Sequence, residues 1–338
     1  MSVTLRDVAE LAGVSAATAS RALDPTGSAS SATRERVADA ARRLGYVGNT
    51  AARSLRTCRS DTIGLLVPDV RNPFFTDLAY AVDKAASAAG LTVMIGNADE
   101  DGAAQDRYLA ALERHRIDGL LVVPQGGATP GLRRIVETFP TVAIDRDAGL
   151  GVPVVASDSE AGMHALVDHA VALGHRRFAI VAGPQSTSTG RVRLDAARER
   201  LAHHDIRLSD GDVIEGDFRL ESGLAAARRL LDHDPVPDLV VAADALMALG
   251  VLAVIRERGL RPGVDVGLAA FDDNPWFHVL DTPVTVVAQD TTVLARRALD
   301  ALLRRIAGED VDVAPIPTTL VVRRSLGETT TVKENAHE

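Results

Sequence analysis

At 338 residues with 46% hydrophobic content, the chain is long enough for two or three globular domains. No apolar run reaches the length of a membrane span and no apolar leader opens the chain. The single cysteine, Cys58, excludes an intramolecular disulfide, which fits a reducing cytoplasm. Residues 1–60 carry nine arginines against five acids, a surplus of +4, so with a total of −9 the remainder carries −13; a basic head on an acidic body points to a phosphate-binding module.

The head opens with TLRDVAELAGVSAATASRAL at 4–23. Thr4 with Asp7 has capping-box spacing, and Leu5, Val8, Ala9 and Ala12 fall on one helical face. Gly13 allows a left-handed turn, and Ser15 caps a second helix over Ala16 to Leu23. Two short helices around a glycine turn are the helix-turn-helix signature, whose second helix enters the DNA major groove. Ala16 and Ala17 permit close approach to bases, Arg21 suits a guanine edge, and Thr18 and Ser20 suit phosphates. Ser30 caps a third helix to Leu44, with Gly45 ending it. Asn49 to Thr57 is helix-compatible but too short to be stable alone, as a linker that orders only against a partner would be.

From Asp61 strands and helices alternate. The expected strands are Thr62–Pro68, Leu91–Gly96, Gly119–Val123, Thr141–Ile144, Phe178–Ala182, Val213–Glu215, Leu239–Ala242 and Val266–Ala270. The expected helices are Phe75–Ala89, Gln105–His115, Leu132–Thr138, Ala161–Leu173, Arg191–His204, Leu220–Asp232 and Ala245–Arg258. Two successive series of this kind predict two doubly wound α/β lobes. The chain has no dinucleotide fingerprint, P-loop, nucleophile elbow or zinc-protease motif, and the spacing shows no catalytic or metal site. His203-His204 and the acids at 99–101 read as solvated surface.

An ordered set of motifs resembles the lactose-repressor/galactose-repressor (LacI/GalR) family of bacterial transcription regulators. Besides the head, it includes T-R-E-R-V at 33–37, L-G-Y at 44–46, N-T-A-A-R-S-L-R-T at 49–57, N-P-F-F at 72–75, I-D-G-L at 117–120, F-D-D at 271–273 and V-V-R-R-S at 321–325. The resemblance implies an all-α helix-turn-helix DNA-binding head, at 1–47, on an α/β periplasmic-binding-protein-like core of two doubly wound parallel-sheet lobes. A hinge helix at 48–60 joins them. The core is 61–328, with lobe 1 at 61–159 and 290–316, lobe 2 at 160–289 and 317–328, and a flexible tail at 329–338. The chain then crosses between the lobes three times.

The DNA contacts implied are Thr4, Ser15, Ala16, Ala17, Thr18, Ser20, Arg21, Asn49, Ala52, Arg53 and Leu55, with Leu55 as a minor-groove wedge. Gly48 stands where the family usually has proline, which loosens the entry to the hinge. The effector-cleft residues implied are Asn72, Phe74, Phe75, Asp145, Arg193, Phe218, Asp244, Asp272 and Trp276. They suit a polyhydroxylated or heterocyclic molecule: a sugar, polyol or nucleoside-like effector. The family's Asn-Asp pair reads Asp244-Ala245 here, Ser159 replaces a common Asn, and its P-L-T-T element reads Pro283-Val-Thr-Val286, so effector identity does not carry over from other members. The tail lacks the leucine heptads of the family's tetramers. The expectation is a cytoplasmic homodimeric repressor of palindromic operator DNA, with no membrane partner and no cofactor. A sugar-binding transport-type protein and, further off, an α/β enzyme are the alternatives.

Overall fold

The computed structural model describes residues 3–24, 27–46 and 60–327. The chain divides into two compact units, Met1–Ser60 and Asp61–Glu338.

In the first unit α1 (Leu5–Ala12), α2 (Ala16–Leu23) and α3 (Ser31–Leu44) are closed by caps that the local sequence dictates. Thr4 and Asp7 form a reciprocal capping box, while Ser15 and Ser30 accept from the amides of Thr18 and Thr33. Gly13 and Gly45 end α1 and α3 at φ of 65° and 63°, where a Cβ is disfavoured. Val8, Ala9, Ala19, Ala22, Val37, Ala40 and Ala41 form the core, and their small size lets three short helices close up.

In the second unit a five-stranded sheet runs in the order β2 (Thr92–Asn97), β1 (Thr62–Val67), β3 (Gly119–Val122), β4 (Thr141–Ile144), β5 (Val154–Val155), all parallel. Alternate residues of each buried strand feed opposite faces. Ile63, Leu65 and Val67 pack under α4 (Pro73–Ala88) and α12 (Thr291–Ile306). Leu66, Leu120 and Val122 pack under α5 (Gly102–Arg114) and α6 (Pro130–Thr138). The second sheet runs β11 (Thr319–Val321), β10 (Thr285–Ala288), β9 (Gly267–Phe271), β8 (Leu239–Ala242), β6 (Phe178–Ala182), β7 (Val213–Glu215); only the β10–β11 pair is antiparallel. Its faces are covered by α7 (Ser159–Ala172) with α8 (Ser188–His203), and by α9 (Leu220–Leu230) with α10 (Ala245–Glu257). The helices α9 and α10 approach so closely that a Cβ on Gly250 would lie 2.4 Å from the Leu220 carbonyl oxygen.

The chain passes between the sheets after β5, after β10 and after α12, where Ser157 bridges Ile316. Element ends differ from the sequence reading by at most three residues, and the helix starts that shift move earlier because the caps recruit the preceding turn: Asn72 starts α4 at Pro73 and Asp101 starts α5 at Gly102. No helix among the described residues is long and apolar enough to cross a membrane.

Candidate functional site

The first unit presents one face of α2. Ala16, Ala17 and Arg21 are exposed, whereas Ala19 and Ala22 are buried. Ala17 and Arg21 are one turn apart, so one exposed stripe combines a small side chain with a guanidinium. Thr4 and Ser15 are exposed cap residues, Thr18 shares a 2.8 Å hydrogen bond with Ser15, and Ser20 is half-buried. Arg34 is turned inward: its guanidinium donates to the carbonyls of Asp24, Gly27 and Ala29 and pins the turn before α3. The hinge candidates Asn49, Ala52, Arg53 and Leu55, with Gly48, lie outside the described residues.

The second unit carries a cleft lined by Asn72, Phe74, Phe75, Asp145, Arg146, Thr189, Arg193, Phe218, Asp244 and Asp272. Each follows the carboxyl end of a strand: β1 supplies Asn72 and the phenylalanines, β4 Asp145 and Arg146, β6 Thr189 and Arg193, β7 Phe218, β8 Asp244 and β9 Asp272. That edge is where doubly wound sheets place ligands. Eight of the nine effector-cleft residues expected from the sequence meet here. Three lining residues sit in the left-handed region, Asp145, Phe218 and Asp272 at φ of 62°, 62° and 68°. Such strain in a non-glycine residue persists only where surrounding structure fixes it, and it concentrates at binding sites.

Trp276 is a correction. Asn274 caps the four-residue helix α11 (Pro275–His278), which buries Phe277 and leaves Trp276 50% exposed, outside the cleft lining. Arg146 and Thr189 were missed by the sequence reading. Arg146 is 2% exposed, bidentate to Glu100 at 2.7 and 2.8 Å, and lies over the rings of Phe75 and Phe218 at 5.7 and 5.0 Å. The Glu100 pair outweighs burial and holds its pKa above the ordinary arginine value.

Of the acids at 99–101, Asp99 and Asp101 are exposed as expected, Glu100 is half-buried, and all three are engaged. Glu100 anchors Arg146, Asp99 accepts from Arg71 at 2.9 Å, and Asp101 caps α5. His204 is likewise engaged, 2.6 Å from Asp168. Arg200 and, against burial, His204 hold the Asp168 carboxyl down at about 2. Glu160, His164 and Glu199 bring their ligand atoms within 4.8 Å, a grouping the chain order hid; both glutamates are exposed and none of the three lines the cleft.

Contacts across the cleft hold it closed. Asn72 donates to Asp244 at 3.1 Å, Arg219 donates to the Asp99 carbonyl at 2.8 Å, and the Asp147 amide donates to Ser188 Oγ at 2.9 Å. The free space left is about 10 Å³, roughly the room for one water centre. Arg193 donates to the Ala243 carbonyl at 2.8 Å and stacks on Phe271 at 3.6 Å. Its guanidinium reaches Asp145 and Asp272 only at 3.9 and 4.0 Å. Burial pushes the Asp244 carboxyl up to about 7, and the neighbouring Asp272 adds to the rise against the Met247 amide. Burial also pushes Asp272 up to about 6, against the pull of Arg193 and Gln289.

Comparison with known proteins follows this division. Residues 4–49 match the family described as bacterial regulatory proteins, lacI family, and residues 167–326 match the periplasmic binding protein-like domain. The ribose operon repressor of Halalkalibacterium halodurans is 32% identical over 335 residues, 98% of each chain. The HTH-type transcriptional regulator CelR of Thermobifida fusca is 34% identical over 95% of this chain and 98% of that one. The lac repressor dimer bound to operator and the anti-inducer ONPF superposes with a TM-score of 0.88 at 28% identity, over 97% of this chain and 100% of that chain. A CelR–cellobiose complex superposes with a TM-score of 0.73 at 33% identity, over 96% and 99%.

Proposed function

The chain belongs to the LacI family of bacterial regulatory proteins and is a DNA-binding transcriptional repressor rather than an enzyme; from that premise we propose that it binds a palindromic operator as a homodimer and releases or holds it according to a small effector in the cleft. The effector is a sugar, polyol or nucleoside-like molecule. The observation that carries this reading is the convergence of Asn72, Asp145, Arg193, Asp244 and Asp272, all buried, on one cleft between the two sheets. Buried polar groups of this density need partners, and a polyhydroxylated molecule supplies donors and acceptors together. The CelR–cellobiose complex and the ribose operon repressor support a carbohydrate-type ligand.

In this reading the head is 1–47, the hinge 48–60, and the core 61–328 in two lobes, 61–159 with 290–316 and 160–289 with 317–328. The α2 face of Ala16, Ala17 and Arg21 reads bases, Thr4, Ser15, Thr18 and Ser20 hold backbone, and Asn49, Ala52, Arg53 and Leu55 contact the operator centre. The dimer uses exposed apolar side chains of both lobes, Tyr80, Ile95 and Tyr108 in one and Trp276, Val279 and Val322 in the other. The reading is tested by retardation of inverted-repeat DNA from the protein's own upstream region, with and without a panel of sugars, polyols and nucleosides. Binding that persists unchanged under every compound, or a flat dependence on salt, contradicts it.

A further inference from the structure

The cleft is short of positive charge. Asp244, Asp272 and Asp145 are 1%, 5% and 7% exposed, so all three carboxylates are out of water. Two guanidiniums line the same space, but Arg146 is committed: both of its terminal nitrogens bond Glu100. Arg193 spends its Nη1 on the Ala243 carbonyl and approaches Asp145 and Asp272 no closer than 3.9 and 4.0 Å, and Arg146 adds one further approach, its Nε 3.9 Å from Asp145. Counting Glu100, four carboxylates stand against two guanidiniums.

Their hydrogen-bond partners do not close the gap. Asp244 accepts from the Met247 amide at 2.8 Å and from Asn72 at 3.1 Å, and Asp272 accepts from Gln289 at 2.6 Å. All of these donors are neutral. A buried carboxylate has room for about four donors and is costly without a compensating charge. The upward shifts of Asp244 and Asp272 express the same shortage. An anionic ligand would deepen it, and a neutral polyol would fill acceptor sites without supplying charge. A protonated amine does both, with three N–H donors and a positive charge.

We propose that the effector is a small polyhydroxylated molecule bearing a protonated amine, seated with its ammonium among Asp244, Asp272 and Asp145. This inference rests on the cleft being the effector site, as the preceding section reads it.

The test uses matched pairs on the full chain by calorimetry at pH 7: D-glucosamine against D-glucose and D-galactosamine against D-galactose, with the neutral N-acetyl derivatives as size controls. The expected result is that at least one amine binds about ten- to hundredfold more tightly than its hydroxyl twin. Its affinity rises from pH 5.5 to 7 as Asp244 and Asp272 ionise, and Asp244→Asn removes most of the preference. A hydroxyl or N-acetyl compound that binds as well as its amine overturns the proposal and leaves the carbohydrate reading standing. No binding by any member overturns the proposal, while the broader effector reading stands or falls with the panel of sugars, polyols and nucleosides above. The parent protein alone separates these outcomes, so a variant that folds poorly leaves the comparison decisive.

Discussion

Asn72 and Asp244 are the N-caps of two helices, α4 and α10, that flank the cleft from opposite sheets, and a single 3.1 Å hydrogen bond joins one cap to the other. Each side chain does two things at once. Asn72 accepts from the Phe74 amide through Oδ1 and donates through Nδ2; Asp244 accepts from the Met247 amide through Oδ1 and from Asn72 through Oδ2. Closure of the cleft is thereby tied to the two helix starts. Any ligand that accepts from Asn72 or donates to Asp244 competes with the link, and such a difference in contacts is what lets a ligand bias one conformation over another.

Asn72→Asp keeps an oxygen for the α4 cap but sets a second carboxylate against Asp244. Two carboxylates sharing one site cannot both ionise cheaply. The variant should lose on the order of 1–3 kcal/mol of stability at pH 8. At pH 5, where the pair shares a proton, the loss should largely vanish. Thermal melting at the two pH values reads this directly, and an equal loss at both would show that the cap contact alone matters.

The same region sets a pH dependence in the ligand-free protein. Asp244 and Asp272 titrate near 7 and 6 in the folded chain, above the ordinary carboxylate value near 4. The folded state holds protons that the unfolded chain has released, so stability is full below about pH 4 for these groups and falls as pH rises toward 7. The charged groups facing them are Asp145, Arg193 and the Glu100–Arg146 pair. His175, held up against its burial by Asp238 and the Leu326 carbonyl, contributes a loss of the same sign. The assignment therefore rests on a difference: between pH 4.5 and 8, Asp244→Asn should flatten the fall by on the order of 1–3 kcal/mol relative to the parent. Denaturant titrations across that range test it, and identical slopes would contradict it.

How much of this was legible in the chain depends on the range of the interaction. Thr4, Ser15, Ser30, Gly13 and Gly45 act within four residues, so the helices of the head and their ends could be read directly. The buried strands were legible as apolar runs for the same local reason. Arg146 was not, because its role comes from Glu100, 46 positions earlier, and from Phe218 on the other sheet. Thr189 has the same difficulty, since nothing local marks it as a lining residue. Trp276 misled in the other direction: a lone tryptophan after F-D-D-N-P draws the eye to the cleft, while the Asn274 cap rotates it outward and turns Phe277 in. The effector residues found came from motif resemblance rather than pattern, since a strand's carboxyl end has no periodicity of its own.

On the DNA side, Arg21→Ala removes the exposed guanidinium of α2 while leaving the buried Ala19 and Ala22 packing intact. Discrimination should fall by about 1–3 kcal/mol at one base pair of each half-site, with binding elsewhere in the site little changed. Selection from random DNA should return an inverted repeat for the parent and a repeat degenerate at that pair for the variant. A single asymmetric half-site would contradict the dimer.

The central claim is that the cleft controls the DNA-binding head. Arg193→Ala removes the guanidinium that faces Asp145 and Asp272 and lies entirely within the second unit. The most direct measurement is operator affinity by fluorescence anisotropy for the parent and this variant, with and without a compound that stabilises the parent in a thermal-shift screen. The account predicts a change in the parent's affinity of roughly 5- to 150-fold on adding the compound. It predicts little change in the variant, whose affinity without the compound stays close to the parent's. A variant that keeps the full response would contradict it.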